Sequence, residues 1–321
     1  MTTRWGITIP LDGIPLSEQR ALIESLPDLG YTDAWSAEAN GTDAFTPLAL
    51  ASVWAPSLRL GTAIVPVYTR GPATLAMCAA TLAAAAPGRF SLGVGTSSNV
   101  IVERWNSIPF EEPFKRTRDT VRFLRAALTG NKVKADYDTF SVQGFTLGAV
   151  PEQAPPLFVA ALRPGMLRLA GREGDGAIIN WLSSEDVRTV APIVREFGED
   201  KEIVARIFAL PDTDAETARG IGRWAISAYM NVPVYRAFHE WLGRDELTPM
   251  WKAWDEGDRK GAVAAIPDSV VDDLIIHGPA EYCRERIRAY AEAGVTTPVL
   301  APLPRPGQDP AAVVRALAPK D

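Results

Sequence analysis

Short runs of apolar residues recur along the chain, and within each run the apolar character is nearly continuous instead of alternating. Eight such runs lie at residues 5–9, 33–36, 58–65, 90–95, 157–161, 177–180, 203–209 and 295–300. Continuous apolar runs are typical of parallel strands whose two faces are both covered by helices. The pattern therefore predicts eight parallel strands.

The segments between these runs carry helix signals. Residues 112–129 place apolar side chains at helical spacing before Gly130, and residues 279–293 do so before Gly294. Pro72 and Pro164 stand where a helix is expected to begin, the position at which proline is best tolerated. Alternating strands and helices predict an α/β fold, a (β/α)₈ TIM barrel whose active site lies at the carboxyl ends of the strands.

A doubly wound sheet is the competing architecture, but no strand is followed by the glycine pattern G-x-G-x-x-G. The nearest candidate, which begins at Gly93 and Gly95, lacks the third glycine. Two regions interrupt the alternation. Residues 131–150 predict a β-hairpin or loop, with short strands on either side of Gln143-Gly144. Residues 211–276 predict a mostly helical insert before the last strand. No linker divides the chain, so we expect one domain over residues 1–321, with the insert over one mouth of the barrel.

Composition excludes several classes of function. The chain of 321 residues has a net charge of −6, two cysteines and two histidines. No basic face for nucleic acid is expected, and the longest apolar stretch, at 75–86, is shorter than the roughly 20 residues that a membrane span needs. Two cysteines suit a cytoplasmic protein without disulfides, and two histidines make a metal site improbable.

The predicted strand ends are poor in catalytic side chains. No lysine closes a strand, no His-x-His pair occurs, and Glu38 stands nearly alone among the strand tips. Schiff-base, metal-dependent and paired-carboxylate chemistries are therefore disfavoured. An organic cofactor explains such a site, because it brings its own reactivity.

Four motifs in order resemble the bacterial luciferase-like superfamily, and most closely its actinobacterial branch of coenzyme F420-dependent oxidoreductases. The resemblance covers roughly residues 1–210 and 277–300. The motifs are AWSAE (34–38) followed by GTDAFTPLA (41–49), LGTAIVP (60–66) followed by TRGP (69–72), PGRFSLGVG (87–95), and VAALRPGM (159–166).

The resemblance implies a cofactor site. A cis peptide bond is expected between Ala63 and Ile64, where the backbone would support the central deazaflavin ring. Gly95, Thr96 and Asn99 would contact the cofactor after the fourth strand. Leu162 and Arg163 lead into a helix whose free N–H groups suit a phosphate.

The resemblance also bears on the chemistry. Glu38 is the expected catalytic acid or base, although Ala39 occupies the place of a histidine that the family's sugar-phosphate dehydrogenases carry. Trp181 is expected to face the substrate, with core packing as the alternative. Arg70 is interpreted as a structural ion-pair residue. His239 and His277 are expected to be structural.

The leading functional hypothesis is an F420-dependent oxidoreductase that transfers a hydride between C5 of the deazaflavin and a small organic substrate. The alternative cofactor is FMN, in a monooxygenase that takes reduced flavin from a partner reductase. A barrel that binds flavin or a small ligand without catalysis is the third hypothesis. The aromatic insert suggests an apolar or aromatic substrate, and the family resemblance suggests a homodimer.

Overall fold

A computed structural model describes residues 4–303, 305 and 307–319. The β-strands within these residues are β1 (Gly6–Thr8), β2 (Asp33–Ser36), β3 (Arg59–Thr62), β4 (Val65–Pro66), β5 (Phe90–Gly95), β6 (Val133–Asp136), β7 (Ser141–Phe145), β8 (Leu157–Ala160), β9 (Gly176–Asn180), β10 (Glu202–Pro211), β11 (Ile275–Gly278) and β12 (Thr297–Pro302).

The α-helices fill the intervals between the strands. They are α1 (Arg20–Ser25), α2 (Phe45–Trp54), α3 (Pro72–Ala85), α4 (Pro113–Ala127), α5 (Pro164–Glu173), α6 (Ser184–Arg195), α7 (Ala215–Met230), α8 (Pro233–Trp241), α9 (Thr248–Asp255), α10 (Arg259–Ala264), α11 (Asp268–Leu274), α12 (Ala280–Glu292) and α13 (Pro310–Ala316). None of the helices in the described part of the chain is long and apolar enough to cross a membrane.

Eight parallel strands close into a barrel, as the hydrophobic pattern predicts. Their order around the barrel is β12, β1, β2, β3, β5, β8, β9 and β10. The barrel is closed by β10, which pairs with β9 on one side and with β12, at the other end of this order, on the other side. The short strand β4 continues the path of β3 and pairs with the carboxyl end of β5.

The two interrupting regions also fold largely as expected. Strands β6 and β7 form an antiparallel hairpin, but the expected turn at Gln143-Gly144 is wrong, because both residues lie within β7. The insert consists mainly of helices α7 to α11, which build a second apolar core against Phe208 and Leu210 of β10. The insert ends in a strand that the hydrophobic pattern did not indicate, because Ile275 begins β11. This strand pairs with the part of β10 that extends beyond β9.

The barrel interior is filled by side chains, as is usual for this architecture. Trp35 is fully buried at its centre, where it packs with Phe158, Ile178, Val204 and Val299. A Cβ added to Gly61 would lie 2.3 Å from the Trp35 ring, so this position must be glycine. The packed interior leaves the strand ends as the place for a ligand.

The amino ends of the strands are closed by ion pairs. Arg59 donates to Glu202 at 2.8 Å and lies 3.6 Å from Asp33, which also accepts from Arg4 at 2.8 Å. These charges compensate one another, so the ion pairs at this end of the barrel are structural. The chemistry must lie at the opposite mouth.

Candidate functional site

The backbone after β3 forms the floor of the carboxyl-end mouth. The peptide bond between Ala63 and Ile64 is cis, which confirms the expectation for this position. Two hydrogen bonds to the β2 end hold the segment: Ala63 N–H donates to Ser36 C=O at 2.6 Å, and Glu38 N–H donates to Ile64 C=O at 3.1 Å. Both side chains are half-buried and pack against the apolar interior of the barrel.

Gly95 of β5 and Ala160 of β8 lie next to this segment and complete the surface. A Cβ added to Gly95 would lie 2.8 Å from Cβ of Ala160 and 3.2 Å from Cγ1 of Ile64. We call Ala63, Ile64, Gly95 and Ala160 the ledge. It is an apolar, partly exposed surface whose close packing depends on glycine at position 95.

Polar residues follow the ledge after β5. The Thr96 hydroxyl donates to the Ser97 carbonyl at 3.2 Å, and Ser97 adopts a left-handed backbone with φ of 61°. Asn99 precedes a π-helical turn over Val100–Trp105, and its side chain makes no capping hydrogen bond to that turn. The Asn99 amide therefore remains available to a ligand.

The next strand end contributes a helix start. Helix α5 begins at Pro164, Arg163 is its extended N-cap residue, and no side chain caps it. The first N–H groups of a helix have no partner inside the helix. Arg163 is exposed and Leu162 is half-buried. Because β5 pairs with β8, this loop and the one containing Thr96 and Asn99 are neighbours.

Glu38 lies at the end of β2 in an ion pair. One carboxylate oxygen accepts from Arg70 Nη1 at 2.6 Å, and the other accepts from Ala44 N–H at 3.1 Å. The contact with Glu38 raises the pKa of Arg70. This confirms that Arg70 is an ion-pair residue. The pair lines a cleft of about 450 Å³. Thr69 also lines this cleft, and its hydroxyl is buried without a partner among the residues that the structure describes.

Trp181 follows β9, where the sequence analysis expects it, but its side chain is only 1% exposed. Its ring stacks on Phe208 at 4.0 Å between centroids and lies 4.8 Å from the Tyr229 ring of the insert. Trp181 therefore packs against Phe208 in this structure, and its own ring is not exposed.

A second cavity at the mouth contains residues that the sequence analysis did not select. It has a volume of about 260 Å³ and lies at the carboxyl ends of β1, β10 and β12. Arg206 and Thr8 line it, and both Nε of Arg206 and the Thr8 hydroxyl are buried without a partner among the described residues. A signal was present in the sequence: Arg206 is a charge within an otherwise apolar strand.

The histidines are structural in this fold. Burial and the neighbouring Arg244 lower the pKa of His239 to about 3, so the imidazole is neutral, with Nδ1 lying 2.9 Å from Arg244 Nη1. His277 contacts Asp272 at 2.8 Å, away from the ledge. Within the described ranges, no cluster of His, Cys, Asp and Glu could hold a metal ion.

A closed parallel barrel with an apolar ledge and unused donors at its carboxyl mouth defines a TIM-barrel enzyme suited to an organic ligand. Comparison with known proteins identifies the family. The model described as luciferase-like monooxygenase matches residues 3–297. The chain belongs to this family and is an enzyme of that type.

Two curated relatives and one solved structure illustrate the relationship. Rv3520c of Mycobacterium tuberculosis, provisionally named a coenzyme F420-dependent oxidoreductase, is 28% identical over 89% of this chain and 91% of its own. An F420-dependent glucose-6-phosphate dehydrogenase of Mycolicibacterium smegmatis is 33% identical over 68% of this chain and 69% of its own. The coenzyme F420-dependent tetrahydromethanopterin reductase of Methanopyrus kandleri has the same fold, with a TM-score of 0.77 and 21% identity over 99% of this chain and 98% of its own.

Proposed function

We propose that this protein is an F420-dependent oxidoreductase that transfers a hydride between C5 of the deazaflavin and a small organic substrate. The observation that carries the proposal is the ledge, a half-buried apolar surface beside two loops with unused hydrogen-bond donors. The F420-dependent names of the two curated relatives support this choice of cofactor.

The residues present fit the parts of F420. The ledge offers apolar contact to a flat ring, with Ala63 and Ile64 beneath it. Thr96 and Asn99 offer polar side chains to the ribityl chain. The start of α5 offers N–H groups and a favourable dipole to a phosphate, and the exposed Arg163 adds a positive charge. Leu162 would contact the cofactor between its ribityl chain and its phosphate.

When bound, F420 supplies a carbon that accepts or returns a hydride, and the chain supplies the geometry. The ledge fixes one face of the ring and excludes water from it. We assign Glu38 the task of holding or moving a proton at its carboxylate. Arg70 Nη1 and the Ala44 N–H hold the two oxygens of that carboxylate in a fixed orientation. Ala39 beside it cannot share this task.

The substrate side of the proposal is a small molecule with an apolar or aromatic part. Phe208 packs on the buried Trp181 and lies 5.0 Å from the guanidinium of Arg206, which lines the cavity at β10. Trp181 would therefore act on the substrate space only indirectly, through Phe208 and Arg206.

We also propose that the protein forms a homodimer through α2 and α3. These two helices contact each other and carry no charged residue. Val53 is 76% exposed and Met77 is 48% exposed on their outer faces. Exposed helices normally carry charges, so this uncharged surface is suited to a second copy. Sedimentation equilibrium of the wild type and of Val53→Glu tests the dimer.

Titration of the purified protein with F420 and, separately, with FMN tests the cofactor. We expect F420 to bind with micromolar affinity or better and FMN to bind more weakly. Tight binding of FMN without binding of F420 would favour a flavin monooxygenase instead. F420 binding without turnover of any alcohol, carbonyl or imine substrate would favour a ligand-binding barrel.

A further inference from the structure

The cavity between β1, β10 and β12 lies across the barrel mouth from the proposed cofactor tail. In the strand order, β5 and β8 stand opposite β12 and β1. The tail is placed at the ends of β5 and β8, so it does not reach this cavity. The polar groups that line the cavity therefore need a separate explanation.

Arg206 is the main polar group of this cavity. Its Nε is buried and has no acceptor among the described residues, and its guanidinium lies 5.0 Å from the Phe208 ring. A buried donor without an acceptor loses the hydrogen bond that water would give it, and the loss is larger for a charged group. An acceptor from outside the chain would remove this cost.

Two further donors line the same cavity. The Thr8 hydroxyl and Nε of Arg305 are buried without partners in the described part of the chain. Among the described residues, the one carboxylate that lines the cavity is that of Asp12, which is exposed to solvent. The remaining lining is mostly apolar and includes Leu11, Pro10, Ala301, Pro302, Leu303 and Val313. The cavity thus combines cationic donors with an apolar wall.

We propose that this cavity binds the carboxylate of a small organic acid, which is the substrate, with Arg206 and Thr8 as its donors. That the bound acid is the substrate rests on the proposed function; that the cavity binds a carboxylate does not. A volume of about 260 Å³ corresponds to the liquid volume of roughly nine waters, so the acid is small. A guanidinium and a hydroxyl match the two oxygens of a carboxylate.

Isothermal titration tests this inference with benzoate, phenylacetate and hexanoate as probes, on the protein both free and loaded with F420. Benzamide, the neutral counterpart of benzoate, controls for the apolar wall, and inorganic phosphate tests whether a different anion is preferred. We expect at least one of the carboxylates to bind and benzamide to bind more weakly. Binding of phosphate alone, or binding of none of the carboxylates, would overturn the proposal.

Variants identify the donors. Arg206→Gln should weaken binding of the carboxylate about 10–150-fold and leave benzamide unchanged. Thr8→Val should weaken it about 2–10-fold, and it keeps the test informative if the arginine variant does not fold. Arg188→Gln, at an exposed ion pair on α6, controls for the loss of one charge and should bind as the wild type does. Unchanged carboxylate affinity in both Arg206→Gln and Thr8→Val would refute the assignment.

The same titrations separate this inference from the proposed function. F420 affinity should be unchanged in Arg206→Gln, because the proposed tail site lies on the opposite side of the barrel. If F420 does not bind the wild type while a carboxylate does, the proposed function fails and the carboxylate site remains. If F420 binds and Arg206→Gln alters its affinity instead of that of the carboxylate, the site belongs to the cofactor and the inference fails.

Discussion

Replacing Gly95 by alanine tests the ledge directly. The new Cβ would lie 2.8 Å from Cβ of Ala160 and 3.2 and 3.3 Å from Cγ1 and Cδ1 of Ile64. These separations are shorter than the 3.5–4.0 Å at which carbon atoms attract. The Ala160 Cβ is bonded directly to the backbone of β8 and cannot rotate away, so the strain falls on the backbone and on Ile64.

The magnitude follows from two opposing effects. Overpacking of this kind costs about 1–3 kcal/mol, while a Gly→Ala change stabilises by about 0.4–1 kcal/mol through the unfolded chain. Gly95→Ala should therefore lower the free energy of unfolding by roughly 0–2.6 kcal/mol. Displacement of Ile64 should weaken F420 binding about tenfold, which corresponds to a loss of about 1.4 kcal/mol.

Urea unfolding and F420 titration measure the two effects. Gly148→Ala is the matched control, because a Cβ there meets nothing within 4 Å and the loop is exposed. Adding Ala160→Gly to Gly95→Ala removes the shortest contact and should restore part of the stability and affinity. Wild-type stability together with wild-type F420 affinity in Gly95→Ala would refute the packing argument for the ledge.

Three further predictions concern charge. Arg163→Ala should weaken F420 binding about tenfold, which is the lower end of the range for a charge-assisted hydrogen bond, because the residue is exposed. Thr96→Ala should weaken F420 binding by less. Calorimetry that ranks the two variants in the reverse order would contradict the proposed site of the cofactor tail. Glu38→Gln should lower kcat at least 100-fold with little change in F420 affinity, whereas a change in stability alone would make Glu38 purely structural. The contribution of His239 to the free energy of unfolding should rise with pH from about 3 to 6.5, by at most about 1.4 kcal/mol per pH unit. The reason is that the pKa of His239 is lowered to about 3 in the folded protein, while the unfolded chain still binds the proton in this range. Urea unfolding curves of His239→Asn should lack this contribution to the slope.

Local pattern was sufficient for much of the fold. Strands β2 and β5 have the bounds that the apolar runs predict, 33–36 and 90–95. A run that is apolar on both faces is stable only between helices on one side and a packed interior on the other, so the barrel follows from the number of such runs. Strand β11 was missed, because Ile275–Gly278 is short and pairs only where β10 extends beyond β9.

The site was predicted less completely. The motifs located the segments of the ledge and of the start of α5, and the cis bond at Ala63–Ile64 is confirmed. The partners of the charged groups were not readable from the sequence. Arg70 lies 32 positions from the Glu38 that it neutralises, and the insert encloses Trp181 from more than 40 positions away.

Local sequence was thus sufficient to predict the barrel, the order of its strands along the chain and the loops at its mouth. These features depend on hydrophobic periodicity and on turn residues, which act over a few neighbouring positions. The ion pair of Glu38 with Arg70, and the lack of an acceptor for Nε of Arg206 among the described residues, depend instead on the tertiary structure. The state of a charge depends on which distant groups the fold brings within a few ångströms of it and on how far they exclude water.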